Sequence, residues 1–92
     1  MQIKTVTTLR RSERAADSDA SEAGELHDAD SGVTLRLNST GAWIWAQLQQ
    51  PRTVRELADG LAQHFEIDPS RAHDDVVAFA REMTWRGLLA AS

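Results

Sequence analysis

The chain contains no cysteine, so disulfide frameworks and thiolate metal sites are excluded. It also lacks any apolar run near the roughly 20 residues that cross a bilayer. Its start alternates polar and apolar residues (Gln2, Ile3, Lys4, Thr5, Val6) and has no apolar middle of a secretory signal. A cytoplasmic location with no membrane association is expected. The motifs of catalysis are missing as well. His27, His64 and His73 have no metal-pairing neighbour at i+4. The serines Ser12, Ser18, Ser21, Ser31, Ser39, Ser70 and Ser92 stand outside any Gly-x-Ser-x-Gly elbow. Asp74 and Asp75 are adjacent, and neighbours on a helix diverge by about 100°, so they do not converge on one substrate atom. Gly32 and Gly41 belong to no phosphate-binding loop. These absences point to a protein that is not an enzyme and needs no metal or other cofactor.

The chain has 92 residues, the length of one domain, and shows no internal repeat. Its formal net charge is −4. Residues 10–31 carry three basic residues (Arg10, Arg11, Arg14) and seven acidic ones (Glu13, Asp17, Asp19, Glu22, Glu25, Asp28, Asp30), and the rest of the chain has seven of each sign. Such a surface exerts little long-range pull on nucleic acid or anionic lipid.

Residues 2–9 read as a first strand with Ile3 and Leu9 inward. Residues 10–22 are small and charged, without a large apolar side chain, and predict a flexible polar loop with room for a short helical turn. Residues 24–37 predict a hairpin: Leu26 marks one arm, Val33, Leu35 and Leu37 line one face of the other, and Ala29-Asp30-Ser31-Gly32 supplies the turn.

A first helix is expected over about 39–49, capped by Asn38 or Ser39, with Gly41, Ile44, Trp45 and Leu48 on one face. Thr53 and Glu56 have capping-box spacing for a second helix whose stripe is Val54, Leu57, Ala58, Leu61 and Phe65. Asp68 and Pro69 open a third helix that runs to about Arg86, and Gly87 suits a left-handed cap. Its core stripe is Ala72, Val76, Phe79, Ala80 and Met83. Trp43 and Trp85 lie off the inward faces of their helices. Each is either packed against a neighbouring loop or an anchor for a partner. The fold class is α+β with a winged helix-turn-helix-like layout: a three-stranded antiparallel sheet followed by three helices.

The run Leu35-Arg36-Leu37-Asn38-Ser39-Thr40-Gly41-Ala42-Trp43-Ile44-Trp45 resembles the Leu-Asn-x-Thr-Gly-x-x-Ile-Trp signature of PqqD-like proteins. Arg52-Thr53-Val54-Arg55-Glu56-Leu57 resembles that family's second helix opening. Asp75-Val76-x-x-Phe79 and Gly87-Leu88-Leu89 resemble its third helix. The resemblance covers about residues 24–89. It implies a recognition element for ribosomally made, modified peptides, with three strands followed by three helices. In such elements the leader segment of a precursor peptide adds as a strand to the third strand, beside the third helix. For a free-standing chain it implies the leader-binding protein of a lasso-peptide cluster, partnered by a leader peptidase and a cyclase.

On that footing the pairing strand is Gly32, Val33, Thr34, Leu35, Arg36 and Leu37. Val76, Val77, Ala80 and Arg81 are the helical walls, and Asp74 is a polar contact. The chain departs from the family pattern in its polar segment 10–22, in Thr34 and Leu35 where an aromatic is frequent, and in Trp43 and Trp85. A bare edge strand can also pair with itself, so a monomer or a weak edge-paired dimer is expected. The competing readings are a winged-helix DNA binder or another protein-interaction module. A DNA binder needs several Lys or Arg on its recognition helix. Here Arg52 and Arg55 are offset by Glu56 and Asp59, and the third helix carries Asp74 and Asp75, so no nucleic-acid partner is expected.

Overall fold

A computed structural model describes residues 2–15, 20–21, 24–28 and 31–92. The chain runs β1 (Thr8–Arg11), a 3₁₀ turn (Glu13–Ala15), β2 (Glu25–Asp28), β3 (Val33–Arg36), α1 (Ser39–Gln47), β4 (Arg52–Thr53), α2 (Val54–Phe65), α3 (Pro69–Trp85) and β5 (Leu89–Ala91). The mixed α+β class and the three consecutive helices are as the sequence predicts. The strands divide in a way that local pattern does not reveal. All pairings are antiparallel, but β1 lies between β4 and β5 in one sheet, while β2 and β3 form a hairpin of their own. The three-stranded sheet therefore joins residues from the beginning, middle and end of the chain.

The helix termini follow their local chemistry. The Asn38 side chain accepts from the Gly41 N–H at 2.8 Å, so Asn38 rather than Ser39 is the cap of α1. Thr53 and Glu56 close a full capping box on α2. The Val54 and Arg55 N–H groups, which an isolated helix would leave unpaired, donate to the carbonyls of Thr7 and Thr5. The N-terminal segment is thus strapped across the start of α2. At the end of α3, Leu88 N–H donates to Met83 C=O and Gly87 N–H to Thr84 C=O, with Gly87 at φ 79°. This is a Schellman ending, and it turns the chain directly into β5.

One apolar core joins the elements. Ile44, Trp45 and Leu48 of the first helical segment meet Val54, Leu57, Ala58 and Leu61 of α2 and Ala72, Val76, Ala80 and Met83 of α3, with Leu9, Leu26, Leu88 and Leu89 from the strands. The inward positions Ile3 and Leu9 are buried as expected, but the strand begins at Thr8 instead of residue 2.

The predicted polar loop 10–22 needs correction at its start. Arg10 and Arg11 belong to β1, and Arg11 and Ala15 are buried. The Arg11 guanidinium lies 4.7 Å from the Trp45 ring centroid and donates to the Trp45 carbonyl at 2.7 Å, so a charge that reads as loop is held by a core indole. Residues 16–19 and 22–23 of that segment, and residues 29–30 of the hairpin turn, lie outside the described residues. Among the described residues no helix is long and apolar enough to cross a membrane.

Candidate functional site

The β2–β3 hairpin pairs Glu25 with Arg36, Leu26 with Leu35, His27 with Thr34 and Asp28 with Val33. Gly32, at φ 74°, supplies the left-handed residue of the turn. Leu37 N–H points at β2, donating to Gly24 C=O at 2.7 Å. Backbone direction alternates along a strand, so Thr34 and Arg36 send their N–H and C=O groups to the opposite side. On that side no described strand pairs with β3. The His27 ring and the Thr34 hydroxyl, 3.2 Å apart, tie the outer face of the hairpin together. Leu35 and Leu37 turn to the inner face and pack, half-buried, against the core.

Between this open edge and α3 runs a groove of three adjoining bays. The first, of about 240 Å³, is bounded by Arg36, Leu37, Asn38, Thr40 and Gly41 on one side and Asp75, Ala78, Phe79 and Glu82 on the other. The second, of about 230 Å³, lies between residues 34–37 of the strand and Phe79, Glu82, Met83 and Arg86 of the helix. The third, of about 200 Å³, lies at the hairpin turn between Asp28, Ser31, Val33 and Leu35 and the helix-end residues Trp85, Arg86 and Leu88. Gly41 sets the width at the α1 end: a Cβ there would sit 3.3 Å from the Phe79 ring and 3.2 Å from the Asn38 side-chain oxygen. The Thr-Gly pair after Asn38 thus lets the cap and the Phe79 ring approach each other. The Glu82 carboxylate and Arg86 guanidinium pair at 3.2 Å along the helical rim. An exposed i,i+4 pair of this kind stabilises by only a few tenths of a kcal/mol.

The strand residues named from sequence, Gly32, Val33, Thr34, Leu35, Arg36 and Leu37, lie in the hairpin turn, along β3 and just beyond it, and all but Gly32 line one or more of the bays. The helical residues do not line the groove. Val76 and Ala80 are 0% exposed and form core, so neither offers surface to a guest. Asp74, Val77 and Arg81 line a separate depression with Ile3, His73 and Ala78, on the side of α3 that faces the N-terminal segment. The groove wall is instead Asp75, Ala78, Phe79, Glu82, Met83 and Arg86. Positions 75, 78/79, 82 and 86 share a helical face. The helical period places Phe79 in the core stripe and gives its neighbours on this face no distinguishing signal. The signal that identifies this face is Phe79 opposite Gly41, a long-range contact that no local period encodes.

The two tryptophans in question differ. Trp43 is half-buried and stacks on His64 at 5.6 Å, with Phe65 edge-on at 6.4 Å. Its indole also lies across Gly60, where a Cβ would fall 2.8 Å from a ring carbon. Trp43 is packing between α1 and α2. Trp85 is 84% exposed at the end of the groove. No group of three His, Cys, Asp or Glu among the described residues could hold a metal ion. The Glu56 carboxyl is held below its ordinary pKa by the Thr53 backbone hydrogen bond, then the Thr53 side chain, and less by Arg52.

A hairpin with one open edge, faced across a groove by the last helix of a helical trio, defines a small α+β fold. The chain belongs to the PqqD family: the family model described as "Coenzyme PQQ synthesis protein D (PqqD)" matches residues 26–89. No curated protein matches the chain. The fold is similar to that of a solved structure described as "Lasso peptide synthetase B1 complexed with the leader peptide", with a TM-score of 0.74 and 23% identity over 89% of this chain and 96% of that one.

Proposed function

We propose that this protein binds the leader segment of a ribosomally synthesised precursor peptide, in a pathway of the lasso-peptide kind, and presents it to a leader peptidase and a cyclase without catalysing a step itself. The observation that carries the proposal is the outward N–H and C=O of Thr34 and Arg36 beside a groove long enough for an extended chain. Membership of the PqqD family supports it, as does the fold shared with a protein solved in complex with a leader peptide. In this reading the guest adds as a strand to β3.

The energetics require side chains as well as backbone. Two strand residues offer four backbone groups, and at about 0.5–1.5 kcal/mol net for each hydrogen bond they supply about 2–6 kcal/mol. Association costs roughly 4–15 kcal/mol in lost freedom. Main-chain pairing is also indifferent to sequence. Affinity and selectivity must therefore come from the half-buried apolar groups Leu35, Leu37 and Phe79 that line the bays.

The test is titration of the full chain with the leader segment of a candidate precursor peptide, followed by backbone amide NMR. Saturable binding is expected, with shifts concentrated at residues 33–38 and at Asp75, Phe79, Glu82 and Arg86. Shifts confined to α2, or to the Asp74, Val77 and Arg81 side of α3, would refute strand addition at β3.

A further inference from the structure

The third helix has four faces. Ala72, Val76, Ala80 and Met83 are core. Asp75, Phe79, Glu82 and Arg86 border the groove. His73, Val77 and Thr84 lie toward the N-terminal segment: His73 Nε2 is 3.2 Å from the Thr5 hydroxyl, and Val77 and Thr84 line depressions beside Ile3. Between these two flanks runs a crest of Arg71, Asp74, Ala78, Arg81 and Trp85, all exposed. Its residues follow one another at steps of three, four, three and four, the spacing of a seam against which a second helix packs.

The crest is rich in groups that the fold leaves unused. Among the described residues no ion pair is made by Arg71, Asp74, Asp75 or Arg81. Trp85, at 84%, is the most exposed of the large apolar side chains described. An indole left in water forfeits burial that is ordinarily favourable. The Schellman ending beside it is made by backbone atoms and supplies no reason for the indole.

Read in reverse, the crest is complementary to itself. Let a second α3 lie antiparallel on the first, with the two-fold axis at Ala78. Arg81 stands three residues beyond the axis, about 4.5 Å, and meets Asp75 of the second copy at the same height, with Asp74 one step further. Trp85 stands seven residues beyond, about 10.5 Å, and meets Arg71 of the second copy. A guanidinium over an indole face is a favourable pairing. The two-fold makes each contact twice. At the centre Ala78 meets Ala78, and side chains that small let the helix axes approach closely. Glu82 falls opposite Asp74, but its carboxylate is held by Arg86 at 3.2 Å. A parallel alignment would instead set Arg71 on Arg71 and Asp74 on Asp74.

From this arrangement we infer that the crest of α3 is a docking surface for a second copy of this chain, paired antiparallel through Arg81 with Asp74 and Asp75 and through Trp85 with Arg71. The inference stands apart from the leader-binding reading and concerns a different face of the helix. One helix crossing is a small interface, so the dimer is reversible, with a dissociation constant on the order of 100 µM.

The experiment is sedimentation equilibrium of the full chain from about 5 to about 500 µM, a range that brackets that constant. The natural protein should pass from monomer to dimer. Trp85→Ala should raise the dissociation constant roughly tenfold. Arg81→Asp sets acid against acid at both ends, and Asp74→Arg combined with Asp75→Arg sets base against base; each variant alone should stay monomeric. Mixed in equal amounts, the two regain opposite charges at both ends, and a heterodimer should return. Unfolding midpoints check that every variant folds.

A natural protein that stays monomeric at the highest concentration would overturn the inference. So would a mixture of the two charge variants that forms no heterodimer. Self-association that survives Arg81→Asp and is lost in Arg36→Pro would assign the dimer to the open edge of β3 and overturn it as well.

Discussion

The two sheets of this protein are built from similar short strands and do opposite work. The three-stranded sheet gathers residues 8–11, 52–53 and 89–91 from distant parts of the chain, and its side chains Leu9, Arg11 and Leu89 are buried. The β2–β3 hairpin is local in sequence. It buries Leu26 and Asp28 on its first strand, while Val33, Thr34 and Arg36 of its second remain exposed. The first sheet fastens the termini to the helical trio. The second holds one edge against the core and leaves the other facing a groove. Burial on long-range contacts stabilises the fold, and the cheap local hairpin is where an unpaired edge can be kept without weakening the whole.

Substitutions on either side test this contrast. The largest effect is expected at Leu9, which is fully buried in the central strand of the first sheet. Leu9→Ala should cost about 2–5 kcal/mol of stability in denaturant unfolding. A cost no greater than that of an exposed-strand substitution such as Thr34→Ala would erase the distinction.

The next effect lies on the hairpin. Arg36→Pro removes an N–H that points away from β2, so the hairpin keeps its ladder while the open edge loses a donor. Guest affinity should fall at least roughly tenfold relative to Arg36→Ala, with a similar unfolding midpoint for the two variants. Equal affinity for the proline and alanine variants would show that the edge takes no part in binding.

Thr53 connects β4 to the start of α2, pairing with Thr8 and capping the helix. Thr53→Ala should cost about 1 kcal/mol, read from the same unfolding curves, without altering guest affinity.

The smallest effect is a pH dependence from Glu56. Its folded pKa is depressed, so its contribution is present above the ordinary glutamate pKa of about 4.3 and is lost as pH falls through the lower folded value. Acid titration of the thermal midpoint should show Glu56→Gln converging on the natural protein at the acid end. A constant difference across that range would remove the carboxylate from the account.

Much of this molecule is legible in its sequence alone. The caps at Asn38, Thr53 and Asp68, the turn at Gly32 and the ending at Gly87 depend on side chains and φ angles within a few residues, and each is where its local chemistry puts it. The strand half of the candidate site was legible for the same reason, because alternation over residues 33–37 fixes which face is apolar. The helical half was not. A 3.6-residue period identifies the most apolar face of α3, and Val76 and Ala80 on that face are core. The groove lies on a flank of mixed character, where Phe79 stands among Asp75, Glu82 and Arg86, and one flank reads much like the other until a partner element is in place.

The sequence by itself therefore determined the inventory: which segments become helix or hairpin, and where each helix is capped. These follow from dihedral preference and nearest-neighbour hydrogen bonding. Tertiary structure alone decided that β1 would pair with the far end of the chain, that Arg11 would settle against Trp45, and that the Phe79 flank, not the Val77 flank, would face β3. Those outcomes depend on how volumes such as Gly41 against Phe79 and Gly60 against Trp43 fit across the core. Packing of that kind is a property of surfaces brought together from distant positions, and no short stretch of sequence contains it.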